Sequence, residues 1–343
     1  MNKKPIIAVT MGDPASIGPE ISLKVFKNKK LYEKCKPILV GDSSVLYKVM
    51  GKLPSLQIKV NIVNQVEDAK FEYGTIDVLE MNLVDISKLK FGEVSPMAGN
   101  AAFEYVKKVI DLAQAKEVDA TVTNALNKEA MNLAGHHFAG HTEIYAHFTN
   151  TKNYTMMLAH DNLRVVHNST HVSLRKACDL VKKARVLSVI ETANNACKKL
   201  GIDNPKIGVA GLNPHSSENG LFGDEEEKEI IPAINAAKKE GINVSGPVPP
   251  DTIFPKALGG WYDIVVAMYH DQGHIPLKLE GFKFDKKNQE WSSVAGVNIT
   301  LGLPIIRVSV DHGTAFDQVL KGTANEISLK NAIEYAIKLA NNS

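Results

Sequence analysis

Cysteine is scarce. Three stand in 343 residues, Cys35, Cys178 and Cys197, odd in number and never in a CxxC pair. That excludes a zinc knuckle, a dithiol redox motif and a disulfide framework, and it predicts a reduced, cytoplasmic compartment. Long apolar runs are missing too: none approaches the ~18 residues of a membrane span. The opening MNKKPIIAVTMGDP returns to polar residues after IIAV, too short for a signal sequence and right for a first strand. Charge of one sign is also absent. Lys and Arg number 40 against 38 Asp and Glu, a net +2, so neither nucleic acid nor an acidic membrane is an expected partner. Neither G-x-G-x-x-G nor G-x-x-x-x-G-K-[ST] occurs, so pattern alone gives no Rossmann fingerprint and no Walker loop. Internal repeats and low-complexity linkers are lacking.

What is present reads as an α/β protein. Short, continuous apolar runs at Ile6–Thr10, Pro37–Gly41, Val118–Thr123, Thr155–Leu158, Arg164–His167, Lys206–Gly211, Asp263–Met268 and Ile305–Val310 are expected strands. Apolar on both sides, they suit parallel strands covered on both faces. Helical periodicity predicts helices over 98–113, 184–200 (with Gly201 as the residue after its end), 224–239 and 326–340. Such alternation implies open, mostly parallel sheets, and the length allows two domains. Lys283–Ser293 reads as a polar loop.

Chemistry gathers where these strands stop. AVT runs into MGDPASIGPE, RVV into HNSTH, KIGVAG into LNPHSSE and IVVAM into YHDQGH. Ligands in open α/β sheets sit beyond the carboxyl ends of strands. His167 and His171 have the spacing of a helical metal pair, but their β-branched flanks place them at a strand end, with Ser173 capping the helix that follows. His171, His215 and His270 each follow a different strand; three imidazoles with open positions suit a divalent ion, and the competing reading is hydrogen bonding to loop carbonyls. His136, His137 and His160 read as residues of surface turns. Lys278 and Arg307 are cations near strand ends, suited to a phosphate or carboxylate or to an ordinary salt bridge. The GDPASIGPE loop, with Gly12 and Gly18, has the form of an anion-facing turn opening a helix.

Together, AVTMGDPASIGPE, LNKEAMNLAGHHFAGHTE, STHVSLRKA, GLNPHSSE, YHDQGHIPLK and GVNITLGLPIIRVSVDHGTA resemble the 4-hydroxythreonine-4-phosphate dehydrogenase family, in order along nearly the whole chain. The resemblance implies a non-Rossmann fold like that of isocitrate and isopropylmalate dehydrogenases: two α/β domains with a central cleft and mostly parallel sheets. Residues 1–125 with 300–343 would form the first, and 126–299 the second, carrying the metal histidines and dimer interface. It implies NAD, one divalent ion (zinc, cobalt, magnesium or manganese) on His171, His215 and His270, and a homodimer whose shared active site takes one of those ligands from the partner subunit. Substrate contacts carry over to His141, Thr142, Lys278, Asn298 and Arg307. The implied reaction oxidises the C3 hydroxyl of a small phosphorylated hydroxy acid and then releases carbon dioxide; Asp271 and a water on the metal are candidates for taking the hydroxyl proton. VVHNSTHVSLRKACD, HDQGHIP and the loop between Gly281 and Gly296 look more like the phospho-D-threonate and phospho-erythronate branch than the pyridoxine branch. A phosphate acyltransferase of the same fold and a non-catalytic binding protein are the competing classes. Three departures from the family pattern are expected to matter: Ser16 for Gly, Asn124-Ala125 for Ala-Pro, loosening a turn, and Ser216-Ser217 for Ala-Gly beside His215.

Overall fold

The computed structural model describes residues 4–286 and 290–342. The chain divides into two compact units, Met1–Lys152 with Leu303–Asn341, and Asn153–Gly302. In chain order the strands are β1 (Ile6–Thr10), β2 (Lys36–Gly41), β3 (Lys59–Val63), β4 (Thr75–Glu80), β5 (Ala120–Thr123), β6 (Thr155–His160), β7 (Leu163–His167), β8 (Ile207–Ala210), β9 (Val244–Val248), β10 (Ile264–Ala267), β11 (Phe282–Asp285), β12 (Glu290–Val294), β13 (Val297–Leu301) and β14 (Arg307–Val310).

The first unit orders its strands β3-β4-β2-β1-β5-β14, every pair parallel. Register places Thr10 opposite both Val40 and Thr123, so the carboxyl ends of these strands share one edge. The helix Pro96–Gln114 packs on this sheet. Ser95 caps it by accepting the amide of Ala98, and Pro96 fits the first turn, where no amide is needed. Its buried stripe includes Tyr105, Val106, Val109 and Ile110; each such aliphatic side chain contributes roughly 1.5–3 kcal/mol on leaving water.

The second unit orders its strands β13-β6-β7-β10-β8-β9. β7, β10, β8 and β9 are parallel neighbours, whereas β13, β6 and β7 pair antiparallel. The reversal at β6–β7 has a local cause: only Asp161 and Asn162 separate the strands, with Asp161 at φ 48°. Two residues close a hairpin, but a parallel connection needs a dozen or more. Leu158, Val165, Val265, Phe254 and Leu277 meet in this unit's core. The expected polar loop Lys283–Ser293 is instead a hairpin of β11 and β12, of which 287–289 lie outside the described residues. Among the described residues no helix is long and apolar enough to cross a membrane.

Candidate active site

In the second unit, β7, β10 and β8 are adjacent and parallel, so the segments leaving their carboxyl ends emerge side by side. His171 follows β7, His270 follows β10 and His215 follows β8. The His171 and His270 rings lie with centroids 6.0 Å apart. His215 is not drawn into that pair; its recorded ring neighbour is Phe222, at 6.2 Å. Among the described residues, no three His, Cys, Asp or Glu side chains of one chain converge as a metal cage.

The local structure explains each position. Ser173 accepts the amide of Lys176 and starts the helix Leu174–Asp179 just beyond His171. His270 opens the helix His270–Gly281. The buried Gln272 fixes its start, accepting the amide of Met268 at 2.7 Å and donating to the carbonyl of Gly211 at 2.8 Å. His270 Nδ1 lies 2.6 Å from Asp271 Oδ1. His215 sits in a left-handed turn, with φ between 47° and 69° from His215 to Asn219. Buried Glu226 closes the turn, accepting the amides of Leu212 and Asn213 at 2.7 and 2.8 Å and the Asn213 side-chain amide at 2.8 Å.

Lys278 does not follow a strand directly: it lies on the His270 helix, its ammonium 4.8 Å from the centre of the Phe282 ring. Asn298 is on β13 and donates to the sulfur of Met156.

The first unit holds a different cluster. Arg307 opens β14 rather than ending it, and is only 2% exposed. Its guanidinium lies 5.7 Å from the Tyr145 ring centre and donates to Thr123 Oγ1 at 3.3 Å. Tyr145 is anchored by donating to Thr121 Oγ1 at 2.8 Å, which itself donates to the carbonyl of Ile306 at 2.9 Å. Burial lowers the Arg307 pKa to about 10. His141 begins the helix His141–Phe148, with Thr142 next along it. Its Nε2 is sealed from solvent without a hydrogen-bond partner, and burial, with Arg307 and Lys128 nearby, holds the ring neutral. A dry cation beside a neutral imidazole suits an anionic substrate group.

The loop after β1 is not the expected anion-facing turn. The amides of Asp13, Ala15, Ser16, Ile17 and Gly18 all bond within the fold, to Ala125 O, Asp13 Oδ1, Asp13 O, Thr314 O and Ser16 Oγ. Gly12 is required there: φ is 76°, and a Cβ would meet the Ala125 carbonyl at 2.6 Å. Ser16 thereby serves as a local hydrogen-bonding link. Asn124 tightens its turn instead of loosening it, donating to Thr10 O and Ser22 Oγ, both at 2.9 Å.

Residues 33–336 match the model of the family described as Pyridoxal phosphate biosynthetic protein PdxA. The chain belongs to this family. It is 49% identical over 344 residues, 99% of both sequences, to the "Putative D-threonate 4-phosphate dehydrogenase" of Oceanobacillus iheyensis. It is similar in structure to 4-hydroxythreonine-4-phosphate dehydrogenase from Klebsiella pneumoniae, with a TM-score of 0.87 at 43% identity over 99% of this chain and 100% of that one. A terephthalate 1,2-cis-dihydrodiol dehydrogenase from Burkholderia xenovorans gives 0.68 at 27% identity, with 98% of each chain covered.

Beyond the residues that the PdxA resemblance supplies, the site has two further imidazoles. His274 stacks on His270, and His167 lies behind it with its ring 4.8 Å from that of His274. Burial lowers the pKa of His167 to about 3 and of His274 to about 4, with the neighbouring histidines adding to both shifts. The signal for His274 was present: His270, His274 and Lys278 recur every fourth residue, one face of a helix. His136 is likewise more than a turn residue, since its ring stacks on Phe103 at 3.8 Å.

Proposed function

We propose that this chain oxidises the C3 hydroxyl of a 4-phosphorylated hydroxy acid resembling 4-phospho-D-threonate, with NAD as hydride acceptor, and that the β-keto acid formed loses carbon dioxide. Likeness to the Oceanobacillus protein over 99% of both sequences supports the substrate class. The observation that carries the chemistry is the 6.0 Å pairing of His171 and His270. Two imidazoles whose nitrogens sit ~2.1 Å from one ion place their ring centres at most ~6.5 Å apart, so the pair fits a shared divalent ion. Asp271 on Nδ1 of His270 leaves Nε2 as the ligand atom, in the carboxylate–histidine arrangement that orients such ligands. His215 of a second subunit completes the set in this reading.

A divalent ion (zinc, cobalt, magnesium or manganese) would be held by His171 and His270 and would supply Lewis acidity to the substrate hydroxyl, and NAD, when bound, would be the hydride acceptor. The chain's own groups do the rest. In this reading the substrate contacts of the first unit are Arg307, His141 and Thr142 and those of the second are Lys278 and Asn298, with the two cations making charge-assisted bonds to phosphate or carboxylate. Asp271, with its side chain 69% exposed, takes the hydroxyl proton. The amides of Asp13, Ala15, Ser16, Ile17 and Gly18 are spent within the fold and are not offered to the dinucleotide phosphates. A homodimer is supported by apolar side chains left in water on the segments that follow the three histidines: Leu174 at 63%, Leu221 at 71% and Leu279 at 72% exposure. Three free cysteines suit a cytoplasmic setting.

A second reading, 4-(phosphooxy)-L-threonine as substrate, is favoured by the Klebsiella structure. The two acids share phosphate, C3 hydroxyl and carboxylate, and differ at C2 in substituent and stereochemistry. The test offers each acid to the purified protein with NAD and a divalent ion and follows NADH. Faster turnover of phospho-D-threonate, abolished by chelation, is expected. A reversed preference selects the second reading, and absence of NADH from both acids overturns the proposal.

A further inference from the structure

His270 is only partly covered: its side chain keeps 37% of its surface. An imidazole in that position can rotate unless its plane is held, and a ligand's affinity depends on how much freedom it gives up on binding. Its bond to Asp271 fixes one ring atom but leaves the plane free to tilt. The ring of His274, one helical turn on, covers the opposite face of His270 at 3.6 Å between centroids and 13° between planes. His274 is in turn immobilised: its Nδ1 donates to the carbonyl of His270 at 2.9 Å, which fixes its tautomer because a carbonyl only accepts. Behind it stands His167, fully buried, with its Nδ1 3.4 Å from the Met156 carbonyl. Gly273 lets the helix approach this ring: a Cβ there would fall 2.4 Å from His167 Nε2.

We propose that His274, backed by His167, is a positioning residue that locks the ring plane of His270 for metal coordination. His274 itself is no co-ligand of the same ion, since two parallel rings in face contact cannot both direct a nitrogen at one point. The inference rests on the proposed function in one respect, that His270 is a metal ligand.

The test measures Co2+ binding to the metal-stripped native assembly by calorimetry, with the visible absorption of the bound cobalt as a second readout, so that turnover is not needed. H270Q tests the underlying reading. H274F keeps a flat ring against His270, whereas H274A removes it; circular dichroism and melting in chelator check that each variant folds. Loss of an outer-shell support typically costs 10–100-fold in metal affinity, so H274A is expected to bind Co2+ about 10-fold more weakly, with an altered cobalt spectrum. H274F is expected to stay within about threefold of the parent. Wild-type affinity in H274A, together with lost binding in H270Q, overturns the positioning role and leaves the metal reading standing. Equal weakening in H274A and H274F also overturns it, because the hydrogen bond rather than the ring plane would then matter. No Co2+ uptake by the parent protein, or unchanged uptake by H270Q, removes both.

Discussion

The two polar clusters are built on opposite principles. In the first unit, Arg307, Asp13 and Tyr145 are buried; Arg307 donates to Thr123, Asp13 accepts the amide of Ala15, and Tyr145 donates to Thr121. In the second, His171 and His215 are exposed and His270 half-exposed, and only two of the three approach one another. A sealed cluster is complete when the chain folds. The second is open, and Leu174, Leu221 and Leu279, on the segments that follow the three histidines, are exposed as well. The difference is one of burial: the first group is held rigid inside the fold, and the second lies on surface that the proposed function assigns to a metal site shared with a second subunit.

The strongest way to break this comparison is to divide the histidines between subunits. H215Q and H270Q homodimers are each expected to lose at least ~10³-fold in NADH formation. Co-expressed, they form mixed dimers in half the population by random assortment, and each mixed dimer regains one intact site from two damaged chains. About a quarter of parental activity is therefore expected in the co-expressed sample. If the mixture stays as inactive as either parent, His215 and His270 of one site do not come from different subunits, and the proposed completion of the pair by the partner's His215 is overturned.

The sealed cluster makes its own demand, one on stability. Asp13 is fully buried; Oδ1 accepts the amide of Ala15, and Oδ2 has no hydrogen-bond partner. Burial raises its pKa from 3.8 to about 6, against the opposing Ala15 bond. The folded state therefore holds this proton more tightly than the unfolded chain. Its contribution is fully present below pH 3.8 and is lost as pH rises through about 6. A shift of that size corresponds to roughly 3 kcal/mol. Urea midpoints of the parent and D13N should therefore diverge across this window, with the parent losing stability relative to D13N as pH rises from 4 to 7. A difference that stays constant with pH would show that Asp13 ionises freely, and so is not sealed.

The two clusters also differed in how far the sequence disclosed them. Eight strands are legible because they are apolar on both faces, but β4, although it lies between β3 and β2, is not among them, since Asp77 interrupts its apolar run. Nor are the edge strands β3 and β9, because the exposed Lys59 and Ser245 and the half-buried Asn61 break the apolar run. Strand ends pointed to His171, His215 and His270, since their placement follows from parallel topology. His274 stayed hidden because Gly273 and Pro276 argue against the helix that carries it, and that helix forms regardless because Gln272 ties its first turn to Met268 and Gly211. The bonds of Asn124 to Thr10 and Ser22 join residues that only tertiary structure brings together, so the sequence alone reads Asn124 as loosening its turn.

The smallest expected effect sharpens the comparison within the open cluster itself. The turn bearing His215 runs left-handed through five non-glycine residues, His215 to Asn219. Each such residue costs ~1–2 kcal/mol, because its Cβ crowds the following carbonyl. Glu226 holds the turn against that strain through its three hydrogen bonds to Leu212 and Asn213. Ser216 is the informative position: φ is 54°, ψ is 49°, and its Oγ is buried without a partner. Replacement by glycine removes the Cβ strain and an unsatisfied hydroxyl, offset by ~0.5–1 kcal/mol of extra freedom in the unfolded chain. S216G should therefore raise stability by about 1 kcal/mol in urea unfolding. S217G should gain less, because Ser217 Oγ accepts the amide of Gly220 at 3.2 Å and that bond is lost. If S216G is instead destabilising, the left-handed turn is not under strain, and the position of His215 owes more to its side chains than to the backbone Glu226 holds.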